Sequence, residues 1–392
     1  MKGKNLVKKD YYIFNISFVL RAVGFGIFSA LFNLYVLSID NYPDNFLEIF
    51  LSIGNLSMAI SSYFIGILID KYSKRKLLIV FTLICSICML LETTIRNAPI
   101  MYLISILYGM GAIGLFTLTP TMLKKYEEDG RKNLIISNRA INIISITVGS
   151  IFAGVLTGKR IGLSEYKTLL VVPFFYLISA FVVLFHSEGG NVEKKEYECK
   201  KEKKKKQPNL SLNSVFLIAL IFALLGFAPM LVNYINVYFK NRFSLDIFEI
   251  AYIYAIISLL SGVFIIFLSR IDFRNIKYLV LLSLSIVIVN VLLMLWTNIF
   301  VQTIGVFLYI CLYEVLTSCV YEYSLSKGKE ELHGRLSGII QASCNLSETL
   351  GIYVCGVCLG KRMFGTVFGL GIILTVISAI VVVVLLRKEA NE

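Results

Sequence analysis

The feature that most constrains this chain is its succession of long apolar runs. A helix crossing the hydrocarbon core of a bilayer needs about 20 predominantly apolar residues. Twelve stretches reach that length, near residues 12–37, 47–69, 77–95, 99–122, 134–157, 168–186, 210–238, 248–269, 278–296, 299–323, 336–358 and 366–386. The runs are continuous rather than alternating, which excludes a membrane β-barrel. The first run is far longer than the core of a cleavable signal, and no A-x-A-like site follows it, so it reads as a span. Composition agrees: 57% hydrophobic and 16% charged residues depart from the soluble norm of about 45–50% and about 25%. The expected fold is an all-α polytopic membrane protein with twelve transmembrane helices.

A net charge of +13 would suit a nucleic-acid partner only if the basic residues formed a solvent-facing patch. They do not. With the amino terminus placed inside, 28 of the 38 Lys and Arg residues fall in the inside segments, 8 fall outside, and Arg21 and Arg139 lie within spans. By the positive-inside rule this asymmetry predicts cytoplasmic termini in a cell-membrane protein and removes the nucleic-acid reading. Residues 188–209 form the one long polar connection, lysine-rich and broken by Gly189, Gly190 and Pro208. Such a segment cannot bury a core, so the chain divides into 1–187, a basic linker 188–209, and 210–392. Attraction of those lysines to anionic lipid headgroups is a second role for the linker. Eight cysteines are too sparse for a disulfide scaffold, and His186 and His333 are the only histidines. No cofactor or metal is expected. Cys85-x2-Cys88 and Cys355-x2-Cys358 lie inside spans, where Cys acts as a small apolar residue.

The two halves repeat. Residues 147–160 (TVGSIFAGVLTGKR) and 349–362 (TLGIYVCGVCLGKR) agree at seven of fourteen positions with an offset of 202. The same offset carries Gly24-Phe25 onto Gly226-Phe227 and Asp70 onto Asp272. Two six-helix units in the same orientation follow, a plan that places a substrate site at their interface near the membrane midplane.

The second span ends in Gly66-Ile67-Leu68-Ile69-Asp70-Lys71-Tyr72-Ser73-Lys74-Arg75-Lys76. This resembles the loop between helices 2 and 3 of the major facilitator superfamily, G-x-L-x-D-[RK]-x-G-[RK]-[RK], with Ser73 where the family has Gly. Physically, Gly66 permits close helix approach, and Asp70 suits the amino end of a packed helix. The resemblance implies twelve helices in two parallel bundles, alternating access, and a conformational-switch role for Gly66, Asp70, Lys71 and Arg75. The second-half counterpart, Arg270–Lys277, keeps Asp272 but has Leu268 in place of the glycine. Other family signatures are worn: Ser105 stands where proton-coupled members carry Arg in helix 4, and span 5 lacks the proline of the exporter motif.

Ionisable groups inside a span are costly and usually face an interior. The deepest are Arg21, Arg139, Glu314 and Glu348, expected to face one another across a central cavity or to bind substrate and protons there. A static pair or a snorkelling Arg139 is the plainer alternative. In span 10, Tyr313, Thr317 and Tyr321 recur every four residues beside Glu314. Resemblance to the family, whose helices 1, 4, 7 and 10 line the cavity, brings Asn233, Tyr234, Asn236 and Tyr108 into the candidate site. Aromatics beside a carboxylate suit a cationic or amphiphilic ligand, whereas the arginines favour an anion. The expected function is proton-coupled export of an amphiphilic small molecule, drug or peptide-like compound by a monomer embedded in the lipid bilayer. An uptake symporter stands as the alternative. An integral-membrane enzyme would need a polar catalytic cluster at one interface, which the sequence lacks, and a non-transporting sensor is the remaining rival.

Overall fold

The computed structural model describes residues 2–39, 42–43, 46–127, 134–157, 161–186, 212–227, 234–245, 247–268, 276–327 and 333–391. The linker 188–209, Asn233 and residues 270–275 lie outside the described residues. Among the described residues the regular structure is all helical. The helices are α1 (Lys2–Leu37), α2 (Phe46–Lys71), α3 (Lys74–Thr94), α4 (Ala98–Glu127), α5 (Leu134–Thr157), α6 (Glu165–Leu169), α7 (Val172–Val183), α8 (Leu212–Phe227), α9 (Ile235–Phe243), α10 (Ile247–Leu268), α11 (Ile276–Leu295), α12 (Ile299–Lys327), α13 (His333–Gly360) and α14 (Phe364–Asn391). Nine passages among the described residues are long and apolar enough to cross a bilayer. The sixth combines α6 and α7, which break at Leu170-Val171 just before Pro173; the ring has no N–H to donate and suits the first turn of a new helix. The remaining three of twelve are α8 with α9, α10, and α11.

An even number of passages returns the chain to the face where it began. That face, called the basic face below, also carries the α2–α3 and α4–α5 connections. Pairing within the halves repeats element by element. In the first half α1 packs on α5 and α7, α2 on α4, and α3 on α4 and α7; in the second α8 packs on α13 and α14, α10 on α12, and α11 on α12 and α14. The starts of α4 and α12 repeat as well: Asn97 Oδ1 accepts from Ile100 N at 3.2 Å and Asn298 Oδ1 from Phe300 N at 2.8 Å. Between the halves the principal contacts are α2 on α13 and α5 on α10. This is a pair of six-helix bundles related by an axis along the helix direction.

Lipid offers no hydrophobic drive for helices to associate, so small residues and hydrogen bonds carry the packing. Between α1 and α5, a Cβ on Gly149 would sit 2.1 Å from Val23 O, and one on Gly26 would sit 2.1 Å from Ile146 O. Ser150 Oγ donates to Gly26 O at 3.1 Å in the same seam. Gly154, one turn on, meets nothing within 4 Å. Replacing Gly149 by Leu should therefore overpack the first bundle, costing about 1–3 kcal/mol, and lower the thermal unfolding midpoint in detergent. Gly154→Leu should leave that midpoint unchanged.

Candidate functional site

The seam between the halves is tightest at the basic face, and its chemistry starts from a helix end. The first N–H groups of a helix lack intrahelical partners and carry the positive end of the helix dipole. At the start of α13 these groups meet Asp70 of α2: Oδ1 accepts from Gly334 N at 2.8 Å and Oδ2 from Arg335 N at 3.1 Å. The Arg335 Nε lies 3.7 Å from Asp70 Oδ2. Such contact requires bare backbone. A Cβ on Gly66 would fall 2.4 Å from Gly334 O, and one on Gly338 would fall 2.5 Å from Ser62 O. The loop's other residues act locally. Arg75 donates to the Val183 and Leu184 carbonyls, tying the start of α3 to the end of α7. Lys71 is exposed. Ser73 has φ −57°, so its backbone needs no glycine, which accounts for the tolerated departure from the family pattern.

Above this seam lies a polar cluster. Arg139 of α5 places Nε 3.8 Å from Glu314 Oε2 of α12. That exceeds the 2.7–2.9 Å of a charge-assisted hydrogen bond, and the two side chains remain 35% and 24% exposed. The pair is an open electrostatic contact rather than a clamped hydrogen bond. Tyr313 hydrogen-bonds Cys344 of α13, and Cys344 lies within electrostatic range of Glu348, Arg139 and Glu314. Tyr309 and Tyr313 stack with ring centroids 6.3 Å apart. Tyr321 hydrogen-bonds Ser337, whose Oγ donates to Thr117 O at 3.2 Å, so α12, α13 and α4 are joined. Thr317 turns its hydroxyl onto Tyr313 O at 2.9 Å. A cavity of about 50 Å³ opens among Phe116, Asn138, Arg139, Asn142, Ser318 and Tyr321. This is room for one or a few waters, well below the roughly 300–1,000 Å³ of a drug-sized site.

The remaining residues singled out from the sequence are dispersed. Arg21 is 5% exposed and faces the interior of the first bundle: Nη1 donates to Thr82 of α3 at 3.4 Å, and the guanidinium lies 6.0 Å from the Phe18 ring centroid. Tyr234 sits over Gly356 of α13. Tyr108 turns into the first bundle, its ring 6.4 Å from that of Phe28. Ser105, in place of the helix 4 arginine, donates to Phe50 O at 2.9 Å and presses on Gly54, so this position joins α4 to α2. A buried carboxylate also lies outside the candidates drawn from the sequence. Glu92 of α3 is 1% exposed, yet it stands only two residues from the helix end, where a carboxylate normally meets headgroups and water.

The cap supplied by Asp70 makes a direct prediction. Removing it should cost about 0.5–2 kcal/mol. Asp70→Ala should therefore speed hydrogen exchange at the Gly334 and Arg335 amides by roughly 2- to 30-fold, at about 1.4 kcal/mol per tenfold. The middle of α13 should exchange as before.

Comparison with known proteins places this geometry. No curated protein sequence matches the chain. Solved structures of similar fold include the human organic anion transporter MFSD10 (TETRAN), with a TM-score of 0.74 and 12% identity, covering 96% of this chain and 99% of that one. The Major Facilitator Superfamily profile matches residues 13–352. The chain is a membrane transporter belonging to the major facilitator superfamily.

Proposed function

We propose that the protein exports a cationic or zwitterionic amphiphilic small molecule in exchange for protons, by alternating access around the α5–α12–α13 cluster. The observation that carries this is the Arg139–Glu314 contact, which joins a helix of each half at 3.8 Å without clamping it, beside Glu348. With Arg21 turned into the first bundle, the cluster sets one arginine against two carboxylates, and Tyr309 and Tyr313 add aromatic surface. That balance favours a ligand carrying positive charge on an apolar body. The likeness to an organic anion transporter, at 12% identity, concerns the fold and leaves the charge of the substrate to these side chains.

In this reading, the halves 1–187 and 210–392 move as bodies about the linker 188–209. Asp70, Gly66 and Gly334 hold them together at the basic face, with Lys71 and Arg75 beside them. By the positive-inside rule the basic face is cytoplasmic, in the cell membrane, and a single chain forms the whole pathway. Glu348 exchanges the proton. Its protonation and substrate binding compete for the field of Arg139 and Glu314.

Purified protein in proteoliposomes, loaded with cationic, zwitterionic and anionic amphiphilic dyes under an imposed pH gradient, tests this. Cationic or zwitterionic dyes should accumulate in vesicles that are acidic inside. Glu348→Gln should abolish that accumulation while leaving dye-for-dye exchange. Arg139→Glu and Glu314→Arg should each lower transport at least tenfold, equivalent to about 1.4 kcal/mol, and the double exchange should recover part of the loss. Accumulation unchanged by Glu348→Gln would contradict the proton assignment, and uptake driven into alkaline vesicles would make the protein a symporter.

A further inference from the structure

The first bundle holds a charged group that the central cluster does not use. Glu92 is 1% exposed, and neither carboxyl oxygen meets a hydrogen-bond donor among the described residues. The residues one turn before it on α3, Cys88 and Met89, belong to a buried apolar cluster with Phe28, Phe32 and Tyr35. An ionised carboxylate in such surroundings has lost its hydration and gained no donor, and a buried charge is tolerated only when paired. The uncharged acid is the form that fits. A carboxyl buried for packing alone could have been replaced by an apolar side chain of the same shape at little cost.

We propose that Glu92 is a proton-binding site of the first bundle, separate from the central cluster and loaded from the face opposite the basic one. Its position supplies the route: Thr94, at the end of α3, is exposed, and Arg96 and Asn97 follow on that surface. The groups around it are titratable on each element that meets α3. On α3 itself Cys85 and Cys88 lie within electrostatic range of Glu92. On α4 Tyr108 feels Glu92, both cysteines and Tyr176 of α7. Tyr35 of α1 donates to Thr93 O at 2.8 Å and lies 6.2 Å, centroid to centroid, from Tyr166 of α6. At the other end of this column stands Arg21, within range of Tyr176 and Cys85 and with Nη2 buried and unpartnered. Thr82, which Arg21 touches, precedes Glu92 by ten residues on α3, about 15 Å at helical rise. The column therefore carries an unpaired acid at one end and an incompletely paired cation at the other. The acid gains its proton from solvent and returns it to solvent, and its ionised form is drawn towards Arg21. Proton occupancy thereby changes the forces between α3 and α1.

The test needs the full chain in detergent and no substrate, so its outcome is independent of the transport assignment. The probe is the proton itself. The infrared spectrum of the wild type should contain a protonated-carboxyl C=O band that shifts in heavy water and disappears in Glu92→Gln, yet persists in Glu314→Gln and Glu348→Gln. On an alkaline jump in weak buffer, the wild type should release about one more proton per chain than Glu92→Gln. If Glu92→Gln does not fold, Glu92→Met carries the same comparison. A band that survives replacement of Glu92, or equal proton release from wild type and variant, overturns the proposal.

Discussion

A carboxylate at the amino end of a helix holds the two halves of this protein in register. Asp70 and the α13 amides are 264 and 265 residues apart in sequence, and no covalent feature fixes their meeting. It depends on two conditions together: unsatisfied N–H groups at a helix start, which favour an anion, and the missing side chains of Gly66, Gly334 and Gly338, which let the backbones approach. A longer side chain at Gly66 would push α13 beyond hydrogen-bond reach, and a neutral residue at Asp70 would leave α13 uncapped. The hydrogen bond from Ser337 to Thr117 adds a neighbouring strap between the halves. Parallel repeats that rock about a central site need a closure of this kind.

Three different arrangements of charged side chains coexist here. Arg139 and Glu314 offset one another across the halves, both partly exposed, and Arg139 lines the cavity. Arg242, near the end of α9, is fully engaged: its guanidinium donates to Tyr238 and to Trp296 O and lies within 6 Å of the Tyr238, Phe243 and Phe364 rings. Gln302, which accepts from Tyr238 at 2.6 Å, completes a lock joining α9, α11, α12 and α14. Arg21 and Glu92 take the third course, buried within one bundle without full pairing. The first and third arrangements leave polar atoms without full pairing. The second is rigid structure.

Span number, the parallel repeat and the Gly66–Asp70 spacing were legible because each is written in local composition or in a constant offset. Facing directions were not. Arg21 and Arg139 look alike in sequence, each a lone cation in an apolar helix, and which neighbour they meet is decided by tertiary packing. Most of these helices are apolar around most of their circumference, so a helical period does not separate a cavity face from a bundle core. The partner of Asp70 was hidden for the same reason, since the amides of Gly334 and Arg335 carry no side-chain signal. Proximity to a helix end suggests exposure for Glu92, whereas it is 1% exposed, with Tyr108 of α4 in electrostatic range and Tyr35 of α1 bonded to the next residue. Ser105 gained its meaning from Gly54 and Phe50. The loss of the family arginine there is a change of helix packing as well as of charge.

In a rocking transporter the seam opens at the basic face while the opposite ends of the halves close. Electron–electron resonance distances answer this directly in proteoliposomes, with one spin-label pair spanning the basic ends of α2 and α12 and another spanning the opposite ends of α3 and α13. Cycling between pH values, and replacing Asp70 by Ala, should lengthen the first distance and shorten the second in the same molecules. Distances that stay fixed, or that lengthen together at both faces, would contradict a rocking transporter held by the Asp70 cap.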